Sequence, residues 1–311
     1  MQPPARSGEI YDLGYRNYDG PRLGRRYAIR SLTTLSLRNT FGLGRGAWPK
    51  VIAFTLVGFA MVPALVQLVI GALQAFVFDA GQGDGYQFVR PEEYYGFVQV
   101  ILVLFVAAMA SELVGNDRKN NTLPLYFSRP IHRSDYVLAK VGALTLGLQM
   151  LTLVPQLLMF LGSWFGASDQ SAWFADNIGD LPAIVVSSVL FSAEFAAIAI
   201  LIATFANRRA FALVSILGAF LLTLMTTAIV ADLLPRSAAR VVMLLSPIYV
   251  ARAVTFVLFD AMPRVRPIEF AEGPGEQIAA VELPGLVWVA ALLAHVAIAV
   301  AFAIRRYRDT I

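Results

Sequence analysis

The sequence contains no cysteine and only two histidines, His132 and His295, on separate segments. Disulfides, thiolate metal sites and cysteine nucleophiles are therefore excluded, and so is a histidine-rich metal centre. Charge is scarce too: Asp, Glu, Lys and Arg make up 15% of the 311 residues, against 58% hydrophobic. No Gly-rich loop ends in Gly-Lys-Ser or Gly-Lys-Thr, so the chain lacks the phosphate cradle needed to bind ATP by itself. Gly81-Gln82-Gly83-Asp84-Gly85 is acidic and suits a turn. No Ser/His/Asp set or paired-carboxylate site stands out. The first fifty residues are polar and basic, with no short apolar core before a small-residue cleavage site, so no cleavable signal peptide is expected.

What is present is apolar sequence in long runs, with a mean hydropathy of +0.65. Six runs are each near the roughly 20 residues a bilayer crossing needs: 51–76, then about 96–115, 137–166, 181–206, 210–233 and 285–304. Trp48 and Lys50 sit at the entry to the first, and Pro63 and Pro155 are expected to kink the first and third. The expected fold is an all-α integral membrane protein: six transmembrane helices, an N-terminal amphipathic helix and short re-entrant helices before the last span. The layout is a tail at 1–20, an amphipathic helix at 21–46, a six-span domain at 51–304 and a second tail at 305–311. Within the domain lie a polar loop at 116–136 and a long excursion at 234–284.

Charge sets the expected orientation. With both termini in the cytoplasm, 19 of the 25 Lys and Arg fall on cytoplasmic segments, and every short loop obeys the positive-inside rule. The intervening segments are acidic instead, with Asp79, Asp84, Glu92 and Glu93 in one and Asp169, Asp176 and Asp180 in another. Ala, Gly, Arg and Pro usage fits a high-GC bacterium, and the expected location is a bacterial or archaeal inner membrane.

In the 234–284 excursion, Val241–Leu245 and Ala253–Leu258 are too short to cross, and Pro247 separates them. They read as two short helices dipping into the outer leaflet, followed by a polar loop with Glu269, Glu272, Glu276 and Glu282. A seventh span over 241–259 would hold Arg252 near its middle, at a cost of about 2.5–3.5 kcal/mol.

From Pro21 onward, Arg22, Arg25, Arg26 and Arg30 share one arc of a helical wheel, and Leu23, Tyr27, Leu32, Leu35 and Phe41 share the other; Ile29, Leu37 and Arg38 interrupt the pattern. This is the pattern of an interfacial helix with guanidinium groups on phosphates; an amphipathic helix packed on protein is the alternative. Gly42-Leu43-Gly44-Arg45-Gly46 reads as a flexible joint after it.

Two acids lie within or beside apolar runs. Glu112 either pairs with the local bases Arg118 and Lys119 or serves as a gate. Glu194, near Ser187, Ser188 and Ser192, either makes a structural hydrogen bond across helices or serves substrate or proton passage. Gln67, Gln74, Gln149, Thr152 and Gln156 add polarity that can line a path or hold helices together. The Gly162–Gly166 spacing fits a small-residue helix contact.

The most distinctive stretch lies between the second and third runs: Glu112, then Asp117-Arg118-Lys119-Asn120-Asn121-Thr122-Leu123-Pro124-Leu125, then Ser128-Arg129-Pro130-Ile131-His132-Arg133-Ser134-Asp135-Tyr136, then Lys140. It resembles the type-2 ABC exporter permease family, in which an acidic span end precedes a charged run, a Gly-Thr-Leu-like step, a Ser-Arg-Pro-like turn and a Lys at the next span. Asn121 stands where Gly is usual there. The layout is similar over nearly the whole chain, with an "elbow" helix, six spans and a long external excursion before the last.

The resemblance implies a permease subunit of an ATP-driven exporter: a dimer of permeases, each above a separate ABC ATPase subunit that binds the ATP and Mg. This chain would then carry no cofactor and no catalysis of its own, and no nucleic acid would be a partner. The coupling loop at 116–136 would dock the ATPase through Asp117, Arg118, Lys119, Thr122, Leu123, Tyr126, Ser128, Arg129, Pro130 and Arg133. Glu112 and Glu194 would be gate or coupling residues, and Arg22, Arg25, Arg26 and Arg30 would mark the elbow helix. Arg129-Pro130 forms either a rigid corner of the dock or a plain turn. An ion-coupled secondary transporter using Glu112 or Glu194 is the alternative. It calls for inverted repeats, and 51–166 and 181–304 show no convincing one.

Overall fold

The computed structural model describes residues 20, 23–44, 46–76, 87–128, 130–261, 278 and 283–308. The tail at 1–19, Arg22, Arg129, the segment 77–86 and Glu269, Glu272, Glu276 and Glu282 lie outside the described residues. All regular elements among the described residues are helices: α1 (Gly24–Thr40), α2 (Ala47–Phe76), α3 (Tyr94–Lys119), α4 (Leu123–Phe127), α5 (Arg133–Phe165), α6 (Gln170–Asn177), α7 (Asp180–Phe205), α8 (Arg209–Leu233), α9 (Arg236–Leu245), α10 (Pro247–Leu258) and α11 (Gly285–Arg308). Six of them, α2, α3, α5, α7, α8 and α11, are long and apolar enough to cross a bilayer. The chain is a multi-pass membrane protein.

The six divide into an inner and an outer set. The apolar windows of α3, α5 and α7 are 67%, 56% and 61% buried, whereas those of α2, α8 and α11 are 28%, 17% and 22% buried. The outer faces carry large apolar side chains, such as Phe54, Phe59, Leu65 and Val69 on α2 and Phe211, Val214, Met225 and Ile229 on α8. A bundle in water would not leave such faces uncovered; hydrocarbon covers them at no cost. Inside, aromatic rings stack from α3 through α7 to α8: Tyr95 on Phe191 at 4.2 Å, Phe191 on Phe195 at 4.4 Å and Phe195 on Phe220 at 4.7 Å.

Helices α2 and α5 cross where glycine allows it. A Cβ on Gly71 would stand 2.0 Å from the Gly162 carbonyl oxygen, and one on Gly166 would stand 2.8 Å from the Gly71 Cα. The Gly162–Gly166 spacing is thus a helix–helix contact, closed further by Gln67 Nε2 donating to Ser163 Oγ at 3.1 Å. Both α2 and α5 stay helical through their prolines, Pro63 and Pro155. Pro155 cannot donate to the Leu151 carbonyl four residues back. The buried Tyr94 hydroxyl donates to that carbonyl instead.

Three boundaries differ from the sequence reading. Helix α3 runs on to Lys119 and α5 starts at Arg133, so only 120–132 lies between them, not 116–136. Charged residues beyond the hydrocarbon are compatible with helix, and hydropathy alone cannot see them continue it. The Gly42–Gly46 stretch does not begin as a free joint. Gly42 (φ 65°) caps α1, and a Cβ there would be 2.8 Å from the Lys50 nitrogen and the Pro49 Cβ. Finally, the two short helices of the excursion start at Arg236 and Pro247, earlier than the expected Val241 and Ala253, and they meet at an angle of 101° around Ser246. The short helix α6 was not anticipated. Asp169 caps it by accepting from the Ser171 and Ala172 amides at 3.0 and 2.9 Å.

Candidate functional site

The polar residues that apolar sequence can least tolerate gather at one end of the bundle, around the α3–α5 connection. Lys140 is buried at 2% exposure on α5. Its Nζ lies 2.7 Å from Asp117 Oδ2 on α3, and that oxygen also accepts from the Tyr136 hydroxyl at 2.8 Å. A buried ammonium needs such a partner to be tolerated. The two sides of the connection are thereby stapled at its base.

From the same turn of α3, Arg118 reaches away from the loop. Its guanidinium donates to the Ala206 carbonyl at 2.7 Å and to the Thr204 carbonyl, the last acceptors of α7. A cation at a helix C-terminus satisfies orphan carbonyls and matches the dipole. One turn earlier, Glu112 pairs with Arg209 at the start of α8. Glu112 thus has a base 97 positions downstream as a partner.

The remaining helix ends join through Tyr136 and Asp135. The Tyr136 ring packs edge-on against Tyr307 of α11 at 5.2 Å and lies 5.9 and 6.0 Å from Tyr126 and Phe127 of α4. Asp135 accepts from the His132 amide at 2.9 Å, which starts α5, and from both Arg25 Nε and an Arg25 terminal nitrogen at 2.8 and 2.7 Å. One segment, 112–140, thus holds the ends of α1, α7, α8 and α11 as well as those of α3 and α5, to which it belongs.

The connection itself turns on Asn121, whose φ is 49°. The Asn121 amide donates to the Arg118 carbonyl at 3.1 Å and the Thr122 amide to the Asp117 carbonyl at 3.0 Å. That pair of bonds is the Schellman ending, with Asn121 in the left-handed position that glycine usually fills. Helix α4 follows and presents Leu125 outward at 65% exposure, beside exposed Lys119, Asn120, Pro124, Ser128 and Pro130. Thr122, Leu123, Tyr126, Phe127 and Arg133 are half-buried beneath them. Next to α4 opens a cavity of about 410 Å³ lined by Phe127, Ile131, His132, Arg133, Ser134 and Ile304. Of the ten docking residues expected from the sequence, Asp117 and Arg118 face into the bundle, and Arg129 lies outside the described residues.

No protein-family model matches the chain, and no curated protein matches it. The geometry stands on its own.

Helix α1 lies on α5 and α3. Leu32, Ser36 and Thr40 are its buried face, and Thr40 Cγ2 approaches so closely that a Cβ on Gly147 would be 2.8 Å from it. Arg25 lies on the same side and, although exposed, is paired with Asp135; Arg26 and Arg30 are exposed next to exposed Leu23, Tyr27 and Leu35. The sequence reading put all four arginines on one arc with guanidinium groups toward phosphates; among the three described, Arg25 is paired with Asp135 instead.

Glu194 sits in the middle of α7 with no exposure, and its Oε1 is 2.6 Å from His295 Nδ1 on α11. The sequence reading did not join these two. The signal available was the scarcity itself, one acid and one histidine each alone in an apolar run. The neighbouring polar residues hold α5 to α7: Ser188 Oγ to Gln149 Oε1 at 3.1 Å and Thr152 Oγ1 with Ser192 Oγ at 3.1 Å. Tyr95 adds a contact to Ser187 at 3.4 Å. No group of three or more metal-ligating side chains occurs among the described residues.

Proposed function

We propose that the chain is the membrane-spanning permease subunit of an ATP-driven ABC exporter, coupled to a separate ATPase subunit that docks on α4. The observation that carries the reading is mechanical. One short exposed element, α4, sits on a segment that grips the ends of six other helices. Force applied at Leu125 is delivered to α1, α3, α5, α7, α8 and α11 through ion pairs and edge-packed rings, not through a flexible tether. That is the property a transmission point needs, and it agrees with the resemblance in the 112–140 stretch. In this reading the docking surface is Lys119, Thr122, Leu123, Leu125, Tyr126, Ser128 and Arg133, with the neighbouring cavity taking a partner side chain. Asp117, Arg118, Glu112 and Lys140 transmit the motion. Helix α1 is the elbow, with Leu23, Tyr27 and Leu35 at the interface and Arg26 and Arg30 on phosphates. The α9–α10 bend is the re-entrant excursion, and the loop end is cytoplasmic.

The test is co-purification from the native host in mild detergent, with partners identified by mass spectrometry and ATP hydrolysis measured. The parent chain should bring down an ATPase. Leu125→Asp should lose it while melting at the parent temperature, because the side chain is exposed and no staple is touched. A chain that purifies without any ATPase, and still moves cargo, rejects the reading.

A second reading, an ion-coupled transporter, is favoured by one observation: the Glu194–His295 pair buried between α7 and α11. It expects proton uptake accompanying transport to vanish in Glu194→Gln. The exporter reading expects that variant to keep its ATP dependence.

A further inference from the structure

The ends of α7 and α8 next to the Arg118 staple enclose a cleft of about 600 Å³. Leu201, Ile202 and Phe205 of α7 form one wall, and Phe211 and Ser215 of α8 form the other. Arg208 stands at the mouth, with no hydrogen-bond or ion-pair partner for its side chain among the described residues. A second cation comes from α11: the Arg306 guanidinium lies 5.6 Å over the Phe205 ring. Phe205 and Phe211 are 53% and 68% exposed, so the walls are open on the side that faces hydrocarbon.

We propose that this cleft binds an anionic phospholipid, with one acyl chain along Ile202, Phe205 and Phe211 and the headgroup phosphate on Arg208 and Arg306. Three observations carry it. The cleft is apolar along its length and cationic only at its mouth, which is the polarity of a lipid and not of a free anion. Its volume is in the range of small-molecule sites, roughly 300–1,000 Å³. Its position at the end of two spans puts the mouth at headgroup depth, where basic pockets between helices collect anionic lipids. Helix α8 also starts at this mouth without a side-chain cap, so its N-terminal dipole adds to the field there.

The site would have a consequence for the bundle. The turn it stabilises is the one whose Ala206 carbonyl takes Arg118 and whose Arg209 takes Glu112. An occupied cleft would hold that turn in the geometry the staple needs. The proposal goes beyond the exporter reading and stands independently of any ATPase.

The experiment uses the full chain, delipidated in a neutral detergent, with phosphatidylglycerol, phosphatidylcholine or inorganic phosphate added in turn. Binding is read by native mass spectrometry and by the thermal midpoint. Phosphatidylglycerol should bind and raise the midpoint, whereas phosphatidylcholine and phosphate should not. Arg208→Gln and Arg306→Gln should each weaken phosphatidylglycerol binding about fivefold. Ser215→Trp fills the cleft without removing charge and should abolish lipid retention. Since Ser215 and Arg208 are exposed, at least these two variants are expected to fold like the parent. Equal binding of phosphatidylcholine, or unchanged retention in both Arg208→Gln and Ser215→Trp, overturns the proposal. Protection by phosphate alone replaces it with a free-anion site. A change of oligomeric mass in Ser215→Trp with lipid retention intact replaces it with a contact between copies of the chain.

Discussion

Lys140 is charged, almost fully buried and part of a helix that crosses hydrocarbon for most of its length. Its tolerance depends on Asp117. Removing one partner of such a pair leaves the other charge without compensation, which costs about 3–5 kcal/mol, while removing both costs far less. Lys140→Met should therefore lower the thermal midpoint in detergent sharply, and Asp117→Leu combined with Lys140→Met should recover part of the loss. Lys119→Met, at an exposed position, should change nothing measurable. If Lys140→Met melts with the parent, the bridge has no structural role and the transmission path through it fails. At this scale the sequence was only partly legible. Its charges were visible, but a partner distant in sequence was not: Glu112 pairs with Arg209. Asn121 was the converse case. It departs from the glycine of the resembled pattern, yet it keeps the left-handed turn because Asn is among the few side chains that enter that region easily.

At the scale of elements, hydrophobic runs located every long helix to within a few residues, since apolar length is a direct consequence of bilayer thickness. Where the reading slipped, something other than hydropathy set the boundary. Helix α6 exists through its Asp169 cap, and α3 and α5 extend into charged sequence until backbone bonds at Asn121 and Thr122 stop the one and the Asp135 carboxylate, accepting from the His132 amide, starts the other. Amphipathicity of α1 was legible, but the separate role of Arg25 was not, because its partner Asp135 is distant in sequence. The Arg25–Asp135 pair makes α1 part of the rigid end of the bundle. In an Arg25→Gln background the first turns of α1 should lift from α5. The native absence of cysteine makes this simple to follow with a single Leu32→Cys probe, placed where exposure is 4%. Maleimide should label it slowly in the parent and several-fold faster with Arg25→Gln, whereas Tyr27→Cys, already exposed, should label rapidly in both. Equal protection of Leu32→Cys in the two backgrounds would show that packing of Leu32, Ser36 and Thr40 suffices without the ion pair.

For the whole molecule, the asymmetry between the two ends is the property that matters. The loop end collects ion pairs that tie helix to helix, and the segment joining its elements is short and closed by caps. The opposite end carries the uncovered polar cleft of about 250 Å³ between α2, α5 and α6, with Asp169 and Asp176 at its edge. If the chain is a transmission device driven from one side, the ion-paired end must face the driver and the opposite end the compartment that receives cargo. The positive-inside bias leads to the same expectation independently, because the basic turn at Arg208 and Arg209 and the basic end of α11 belong to the ion-paired end. The two arguments meet in one labelling experiment on intact cells with a membrane-impermeant maleimide. Asn120→Cys, at the tip of the ion-paired end, should be protected until the cells are opened, and Ser171→Cys, on α6, should react at once. Six crossings with both ends of the described chain on one side also require a cysteine at Leu23 to behave like the one at Asn120. Reaction of Asn120→Cys from outside would invert the molecule, leaving α4 unable to meet a cytoplasmic ATPase, and would break the exporter reading at its mechanical premise.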